Sequence, residues 1–308
     1  AITAAAIACG EGGEAMVDFY REHARNIFKP REPYKPSGWL KSIYPICNSL
    51  FQRKSGRELG SLFQSRYCPH ALRESLDTGF EGRRLTDMTY TRFITPTVNL
   101  SRGRSQVFRT HHFPIPPSDS VEMTNPEVVD ILMASTAAPT YFPHATIAGE
   151  DYADGGLWAI NPSILAIAEA MKIRQFCTGD YCAPHFDTSG IYLLSIGTGN
   201  ISYSLSPPGG DAGALFWAGH AADIMSVSQV QGVQAPLRFL LADRFYPVNF
   251  ELPDKSWSLD GIEHMEELFA LGREEARRQH EAVSDMFGDH KASNYLEEAE
   301  PAPESGRP

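Results

Sequence analysis

The stretch with the clearest chemical potential is Asp151–Pro162, DYADGGLWAINP, in which a carboxylate is followed directly by two glycines. Asp-Gly is by default a turn, because Asp forms local hydrogen bonds and Gly adopts backbone conformations closed to other residues. A turn does not require the second glycine, Gly156, whereas a catalytic carboxylate needs space through which a substrate can approach. Asp154 is therefore either a turn residue or a general base, and its immediate neighbours favour the turn.

The residues that follow predict a helix close behind this carboxylate. Asn161 is a preferred N-cap, Pro162 suits the first helical position, and an apolar helical pattern runs from Ser163 to Lys172. This arrangement places Asp154 at the mouth of a sheet, a few residues before the helix. In open α/β sheets, that crevice is where ligands bind.

A second pair of glycines lies in GTGN, residues 197–200, directly after the apolar run 191–196. Such a run is typical of a buried parallel strand. A dinucleotide-binding fingerprint would need glycine where Ser202 stands and an acidic residue about twenty positions later. We therefore interpret GTGN as a turn at the carboxyl end of a strand, bordering a crevice.

The composition limits the classes of function. Acidic residues exceed basic ones by 38 − 27 = 11, which argues against a nucleic-acid polymer as partner, because phosphate contacts need basic surface. Five cysteines, an odd number in 308 residues, argue against a disulfide framework. Cys177 and Cys182, with His185 nearby, lack a familiar zinc spacing. We therefore expect reduced cysteines, a cytoplasmic location and no metal.

Apolar periodicity predicts most of the remaining elements. Predicted helices cover 16–27, 128–133, 163–172, 215–230, 232–241 and 262–287, and predicted strands cover 92–100, 106–109, 191–196 and 244–250. Strands 92–100 and 106–109 form a pair around the turn SRGRS, and Pro96 argues against a central place for the first of them. One α/β domain is expected over residues 1–288, with an excursion around 30–90, followed by a disordered tail at 289–308.

Residues 38–51, GWLKSIYPICNSLF, form an apolar segment with basic edges, interrupted by Pro45. Its apolar residues are Trp39, Leu40, Ile43, Ile46, Leu50 and Phe51, and its basic neighbours include Lys41, Lys54 and Arg57. The pattern fits a patch that contacts a membrane interface. It fits an ordinary core or cap helix equally well.

The first residues predict a helix over 1–9 that is apolar nearly all round and hence buried. No capping residue precedes Ala1. We therefore expect the sequence to start inside a domain.

Several motifs, taken in order and spacing, resemble the patatin-like phospholipases. They are ASTAAPTYFP, DYADGG, NPS and LLSIGTGN, together with NLSRGRSQVFRT and LADRFYPVNF, and the resemblance extends from about Ala1 to Phe287. It implies an α/β protein with a three-layer α/β/α patatin-like fold and a mostly parallel central sheet. Among relatives the chain looks like the bacterial enzymes, some of which are switched on by cyclic nucleotides in anti-phage defence.

The resemblance also implies a Ser–Asp dyad that works without metal or cofactor. Carried over, Asp154 is the general base, and Gly155 and Gly156 leave room for the serine and the substrate. The family's serine lies in a G-x-S-x-G elbow, and a glycine-rich stretch supplies the oxyanion hole; neither occurs in this sequence. We expect both just before Ala1. The alternative is a non-catalytic lipid- or nucleotide-binding relative.

The implied substrate is a phospholipid membrane, cleaved by an acyl hydrolase of the phospholipase A type that is peripheral to the membrane when active. A cyclic dinucleotide is the implied activator, since an ungated phospholipase would endanger its own cell. The residues leave the oligomeric state open, and none of the ten histidines is given a role.

Overall fold

The computed structural model describes residues 1–36, 40–55, 59–110, 125–176, 188–201, 205–206, 211–253, 257 and 259–288. Helices in these ranges are α1 (Ile2–Ala8), α2 (Gly13–Ile27), α3 (Leu40–Ser55), α4 (Pro69–Phe80), α5 (Val128–Ser135), α6 (Ser163–Phe176), α7 (Ala214–Leu241) and α8 (Met265–Phe287). Strands are β1 (Ile94–Asn99), β2 (Arg104–Arg109), β3 (Ala145–Ile147), β4 (Glu150–Asp154), β5 (Leu193–Ile196) and β6 (Phe245–Val248). The α/β class is confirmed, and the predicted tail at 289–308 lies outside the described residues.

Strands β1 to β4 form one sheet in the order β2-β1-β4-β3, and all three pairings are antiparallel. Short connections explain the pairs β1–β2 and β3–β4, because a tight turn can join only antiparallel neighbours. Gly103, with φ +61°, lies in the turn between β1 and β2, and Ala148 and Gly149, with φ +50° and +81°, form the turn between β3 and β4. The expectation of a mostly parallel sheet is wrong for this sheet, whereas the predicted pair around SRGRS is confirmed.

Pro96 lies on β1 between two neighbouring strands, although its type argued for an edge. The ladder between β1 and β4 ends at the pair Thr97–Asp154, one residue before the proline would have to take part. The missing N–H of Pro96 therefore breaks no bond of that ladder. A central strand tolerates proline here because the neighbouring strand has already ended.

Strands β5 and β6 pair in parallel, as expected for a strand followed by a long crossover, which is α7. The pairing continues past GTGN, since the Gly197 N–H donates to Val248 O at 2.8 Å and the Asn200 N–H donates to Phe250 O at 2.7 Å. GTGN thus follows the end of β5, but it continues the pairing with the chain after β6 instead of forming the predicted turn. The strand is less buried than predicted, because Ile196 is 73% exposed.

The main core lies between the antiparallel sheet and helices α1, α4 and α5. Phe108 of β2 and Tyr152 of β4 are fully buried in it, with ring centroids 5.5 Å apart. Helix α1 contributes Ile2, Ala5, Ala6 and Ala8, but Ile7 is 48% exposed. The prediction that this helix is buried all round is therefore wrong; one face packs and the other does not.

Two helices continue through a proline. Helix α3 contains Pro45, where an interruption of the helix was predicted. Helix α7 contains Pro236 and runs through both of the helices predicted at 215–230 and 232–241. Each proline removes one backbone hydrogen bond, which the rest of a long helix can absorb. Among the described residues, no helix combines the length and apolar content needed to cross a bilayer.

Candidate active site

Asp154 is the last residue of β4, and contacts from two other segments fix its backbone. It pairs with Thr97 of β1, and its N–H donates to Ala137 O at 3.1 Å. Ala137 belongs to the ASTAAPTYFP motif, directly after α5. The carboxylate therefore leaves the sheet in a direction set by backbone hydrogen bonds.

The carboxylate of Asp154 is half-buried and caps the short turn that follows it. Its Oδ1 accepts a hydrogen bond from the Gly156 N–H at 2.7 Å. Burial raises the pKa of Asp154 above its ordinary value, while the Gly156 hydrogen bond lowers it by less. The side chain is thus a more basic carboxylate than an exposed aspartate would be.

The Asp154 carboxylate lies near the amino end of α1, because it and the backbone nitrogen of Ala1 are close enough to interact electrostatically. The structure brings together the predicted carboxylate and the amino end of the predicted first helix.

Gly155 is required by the close approach of β1. A Cβ at this position would lie 2.1 Å from Pro96 O and 2.4 Å from Pro96 C. The space that the missing side chain leaves is thus occupied by protein backbone. A role for Gly155 in substrate binding stays a prediction, and packing alone accounts for the residue type.

Gly156 has more room. A Cβ there would lie 3.2 Å from Asp154 Oδ1 and 3.8 Å from Ile160 Cγ1, which is tight only against the carboxylate itself. A side chain at this position would crowd the Asp154 carboxylate. The substrate-binding role of Gly156 likewise stays a prediction.

The segment after the glycines ties this edge of the sheet to β5. Trp158 Nε1 donates to Thr97 O at 3.0 Å, and the Ser163 N–H donates to Asn161 Oδ1 at 3.0 Å. Asn161 Nδ2 also donates to Ser195 Oγ of β5 at 3.4 Å. The capping role predicted for Asn161 is supported, and the same side chain reaches the second sheet.

A buried hydroxyl pair behind Asp154 was not anticipated. Ser135, at the end of α5, donates from Oγ to Pro96 O at 2.9 Å and lies 2.6 Å from Thr95 Oγ1. The Pro96 carbonyl, which presses against Gly155, is thereby held in place. Ser135 lies inside ASTAAPTYFP, a motif that suggested the family. Nothing in the sequence indicates separately that its hydroxyl would be buried and hydrogen-bonded.

Within the described residues, no group of three or more His, Cys, Asp or Glu side chains could hold a metal ion. Cys9, Cys47 and Cys68 are free thiols. Cys177, Cys182 and His185, whose spacing was considered for zinc, lie outside the described residues.

Comparison with known proteins decides the family. The family model of the patatin-like phospholipases matches residues 1–167 of the chain, a range that includes α1 and Asp154. The chain belongs to the patatin-like phospholipase family.

Several members of this family are similar over most of the chain. The cGAMP-activated phospholipase of Vibrio cholerae is 32% identical over 208 residues, covering 67% of this chain and 52% of that protein. The cGAMP-activated phospholipase of Pseudomonas aeruginosa is 30% identical over 224 residues, covering 71% and 61%. Patatin-like protein 3 of Arabidopsis thaliana is 27% identical over 198 residues, covering 60% and 41%. The chain thus spans only part of the length of these relatives.

Proposed function

We propose that this patatin-like protein is a lipid acyl hydrolase in which Asp154 is the general base. One observation carries the proposal: a half-buried carboxylate of raised pKa is held by backbone contacts at the end of β4, facing the amino end of α1. From the family resemblance we expect the nucleophilic serine directly before that helix. Asp154 and this serine would then form the dyad.

The chemistry follows from these positions. The serine Oγ attacks the ester carbonyl carbon of a phospholipid, and its proton passes to Asp154. The tetrahedral intermediate collapses, the lyso-lipid oxygen leaves with that proton, and the acyl group remains on the serine. Water then attacks the acyl-enzyme with Asp154 again taking the proton, which releases the fatty acid and restores the serine.

The environment of Asp154 suits a base. An exposed aspartate holds a proton too weakly to accept one efficiently from a hydroxyl, and raising the pKa of Asp154 increases its basicity. The Gly156 N–H keeps Oδ1 oriented without neutralising it. Hence the burial that raises the pKa also contributes to catalysis.

The setting of the reaction is proposed with it. The substrate is a phospholipid membrane that the protein contacts peripherally from the cytoplasm, and the chain adopts the three-layer α/β/α arrangement that the resemblance implies. Two bacterial relatives carry the name cGAMP-activated phospholipase, which supports a cyclic dinucleotide as activator.

The decisive test is Asp154→Asn in the full-length protein, assayed on phospholipid vesicles and on a water-soluble ester. Hydrolysis of both should fall by about a hundredfold or more, because the amide keeps the shape and cannot take the proton. Asp151→Asn is the matched control, since Asp151 lies on the same strand and bonds Thr146 at 2.8 Å instead of facing α1. An active Asp154→Asn variant, or equal losses of hydrolysis in both variants, would contradict the role of Asp154 as base and leave DGG as a structural turn only.

Activation is tested separately by measuring vesicle hydrolysis with and without cGAMP. We expect a low rate that rises on addition of the cyclic dinucleotide. A full rate in its absence, with no further increase, would contradict gating while leaving the assignment of Asp154 untouched.

A further inference from the structure

The end of helix α5 contacts both strands that carry the candidate site. Ser135, the last residue of α5, is only 6% exposed, and its Oγ donates to Pro96 O of β1 at 2.9 Å. Two residues later, Ala137 O accepts a hydrogen bond from the Asp154 N–H of β4 at 3.1 Å. The helix end therefore holds β1 through a side chain and β4 through the backbone. A substitution can remove the first bond while leaving the second.

The hydroxyl of Ser135 is itself supported by a second hydroxyl. Thr95 Oγ1 lies 2.6 Å from Ser135 Oγ, and Thr95 is 1% exposed. A hydroxyl has one hydrogen to donate, so while Ser135 donates to Pro96 O, the Thr95 hydroxyl donates to Ser135. Of the two hydroxyls, that of Ser135 bonds the carbonyl, and that of Thr95 orients its partner.

The Pro96 carbonyl is the group against which Gly155 packs. A Cβ on Gly155 would lie 2.1 Å from Pro96 O. The next residue of β1, Thr97, pairs with Asp154. The peptide that follows Gly155 carries the Gly156 N–H, which donates to Asp154 Oδ1 at 2.7 Å. A displaced carbonyl would thus move Gly155 and, through it, the N–H that orients the carboxylate.

We propose that Ser135 is a positioning residue for Asp154. Its hydroxyl holds the Pro96 carbonyl against Gly155 and thereby fixes the direction of the carboxylate. The proposal rests on the proposed role of Asp154 as base, and it gives Ser135 no contact with the substrate. Alignment of the base matters because a displacement of about 1 Å from the productive geometry can cost roughly a hundredfold in rate. Without the hydroxyl, the carbonyl loses a hydrogen bond and can turn away from Gly155.

The test compares Ser135→Ala with Thr95→Val in the full-length protein, assayed on a water-soluble ester. Each variant removes one buried hydroxyl of the same pair, so their urea midpoints should fall by similar amounts. In Ser135→Ala, kcat should fall by about tenfold or more while KM stays within about twofold, since the substrate still binds but the base is misaligned. In Thr95→Val, kcat should stay within about threefold of the wild type, because Ser135 can still donate to Pro96 O. An unchanged kcat in Ser135→Ala, a loss confined to KM, or equal falls of kcat in both variants would overturn the proposal.

Ser135→Cys gives a second measurement at the same position. Its thiol keeps a donor that is weaker than a hydroxyl, so kcat should lie between the values of the wild type and Ser135→Ala. This variant carries the comparison with Thr95→Val if Ser135→Ala does not fold, and its kcat should then lie below that of Thr95→Val. A kcat of Ser135→Cys at or below that of Ser135→Ala, or equal to that of Thr95→Val, would mean that the hydrogen bond to Pro96 O does not set the rate and would overturn the proposal.

A double-mutant cycle separates this proposal from the proposed function. On the residual rate of Asp154→Asn, Ser135→Ala should cost no more than about twofold, because that variant has no base to position. A further loss of about tenfold in the Asp154→Asn background would mean that Ser135 acts independently of the carboxylate and would overturn the positioning role. An active Asp154→Asn variant would remove the proposed function and the positioning role with it. A slow Asp154→Asn variant together with a fully active Ser135→Ala would overturn the positioning role alone.

Discussion

The two glycines after Asp154 offer the sharpest structural prediction, because equal substitutions should have unequal results. In Gly155→Ala, the new Cβ would lie 2.1 Å from Pro96 O, whereas contacts between heavy atoms are normally about 3.5 Å. In Gly156→Ala, the shortest distance is 3.2 Å, to Asp154 Oδ1. Small movements of neighbouring atoms cannot relieve the overlap at Gly155. At Gly156, a movement of the carboxylate by a few tenths of an ångström is enough.

The cost of Gly155→Ala follows from what holds Pro96. Its carbonyl accepts the Ser135 hydrogen bond, and β1 is flanked by β2 and β4, so it cannot move away alone. Relief must separate β1 from the end of β4, which weakens the pairing of Thr97 with Asp154 and the bond from the Asp154 N–H to Ala137 O. Overpacking of about 1–3 kcal/mol together with roughly 1 kcal/mol for each strained bond predicts a loss of about 3–5 kcal/mol.

The assay is urea unfolding followed by circular dichroism, with Gly156→Ala as the matched control. We expect the free energy of unfolding of the control to stay within about 1 kcal/mol of the wild type, because the small clash is offset by lower chain entropy in the unfolded state. The control should still lose activity, since its methyl group crowds the carboxylate. If Gly155→Ala were as stable as Gly156→Ala, the packing explanation of Gly155 would be refuted.

Three further predictions follow from the shifted pKa values. The acid limb of kcat/KM for a soluble ester should lie above the ordinary aspartate value of 3.8, because burial raises the pKa of Asp154; a limb at that value would contradict its role as base. Burial and the Glu150 carboxylate raise the pKa of Tyr152 from 10.0 to about 12. The contribution of Tyr152 to stability is therefore complete below pH 10.0 and is lost as the pH rises toward 12. Between these pH values, urea unfolding should show a smaller loss of unfolding free energy for Tyr152→Phe than for the wild type. Burial and then Asp260 raise the pKa of Tyr67 to about 12, and Asp260→Asn should lower it, which ultraviolet titration of the tyrosinate would measure.

Elements with strong periodicity could be predicted from the sequence. Helix α8 and the strand pair β1–β2 lie within a few residues of their predicted bounds, because each carries a regular pattern over several turns or alternations. Strand β3, with only Ala145–Ile147, was missed. The signal was Gly149 in the turn after it, but three residues are too few for a pattern to indicate a strand.

The position of β1 in its sheet and the burial of α1 depend on tertiary contacts, which the residue types alone do not indicate. The centrality of β1 follows from where β4 ends, and nothing in the type of Pro96 indicates this. The exposure of Ile7 on an apolar helix is equally invisible, since periodicity reports which residues are apolar and not which face finds a partner.

At the candidate site, the sequence predicted roles for Asp154 and for both glycines that follow it, and these roles stay predictions. Asp154 stood out because a base needs access, and the two glycines were together expected to let another backbone or a substrate approach closely. The structure separates them: Gly155 admits the backbone of Pro96, while Gly156 donates to the carboxylate. Identical residue types one position apart serve different purposes, and only distances distinguish them.

The way Asp154 is held also decides what its replacement can show. Its position is set by Thr97 and Ala137 through the backbone, so it does not depend on the charge of the side chain. Because burial raises the pKa of Asp154 in the folded protein, its contribution to stability is complete below pH 3.8 and is lost as the pH rises through the folded-state pKa. Asp154→Asn should therefore unfold no more easily than the wild type at neutral pH. A loss of hydrolysis in that variant would report on the proton transfer itself, whereas the same loss in Gly155→Ala would mix chemistry with a displaced strand.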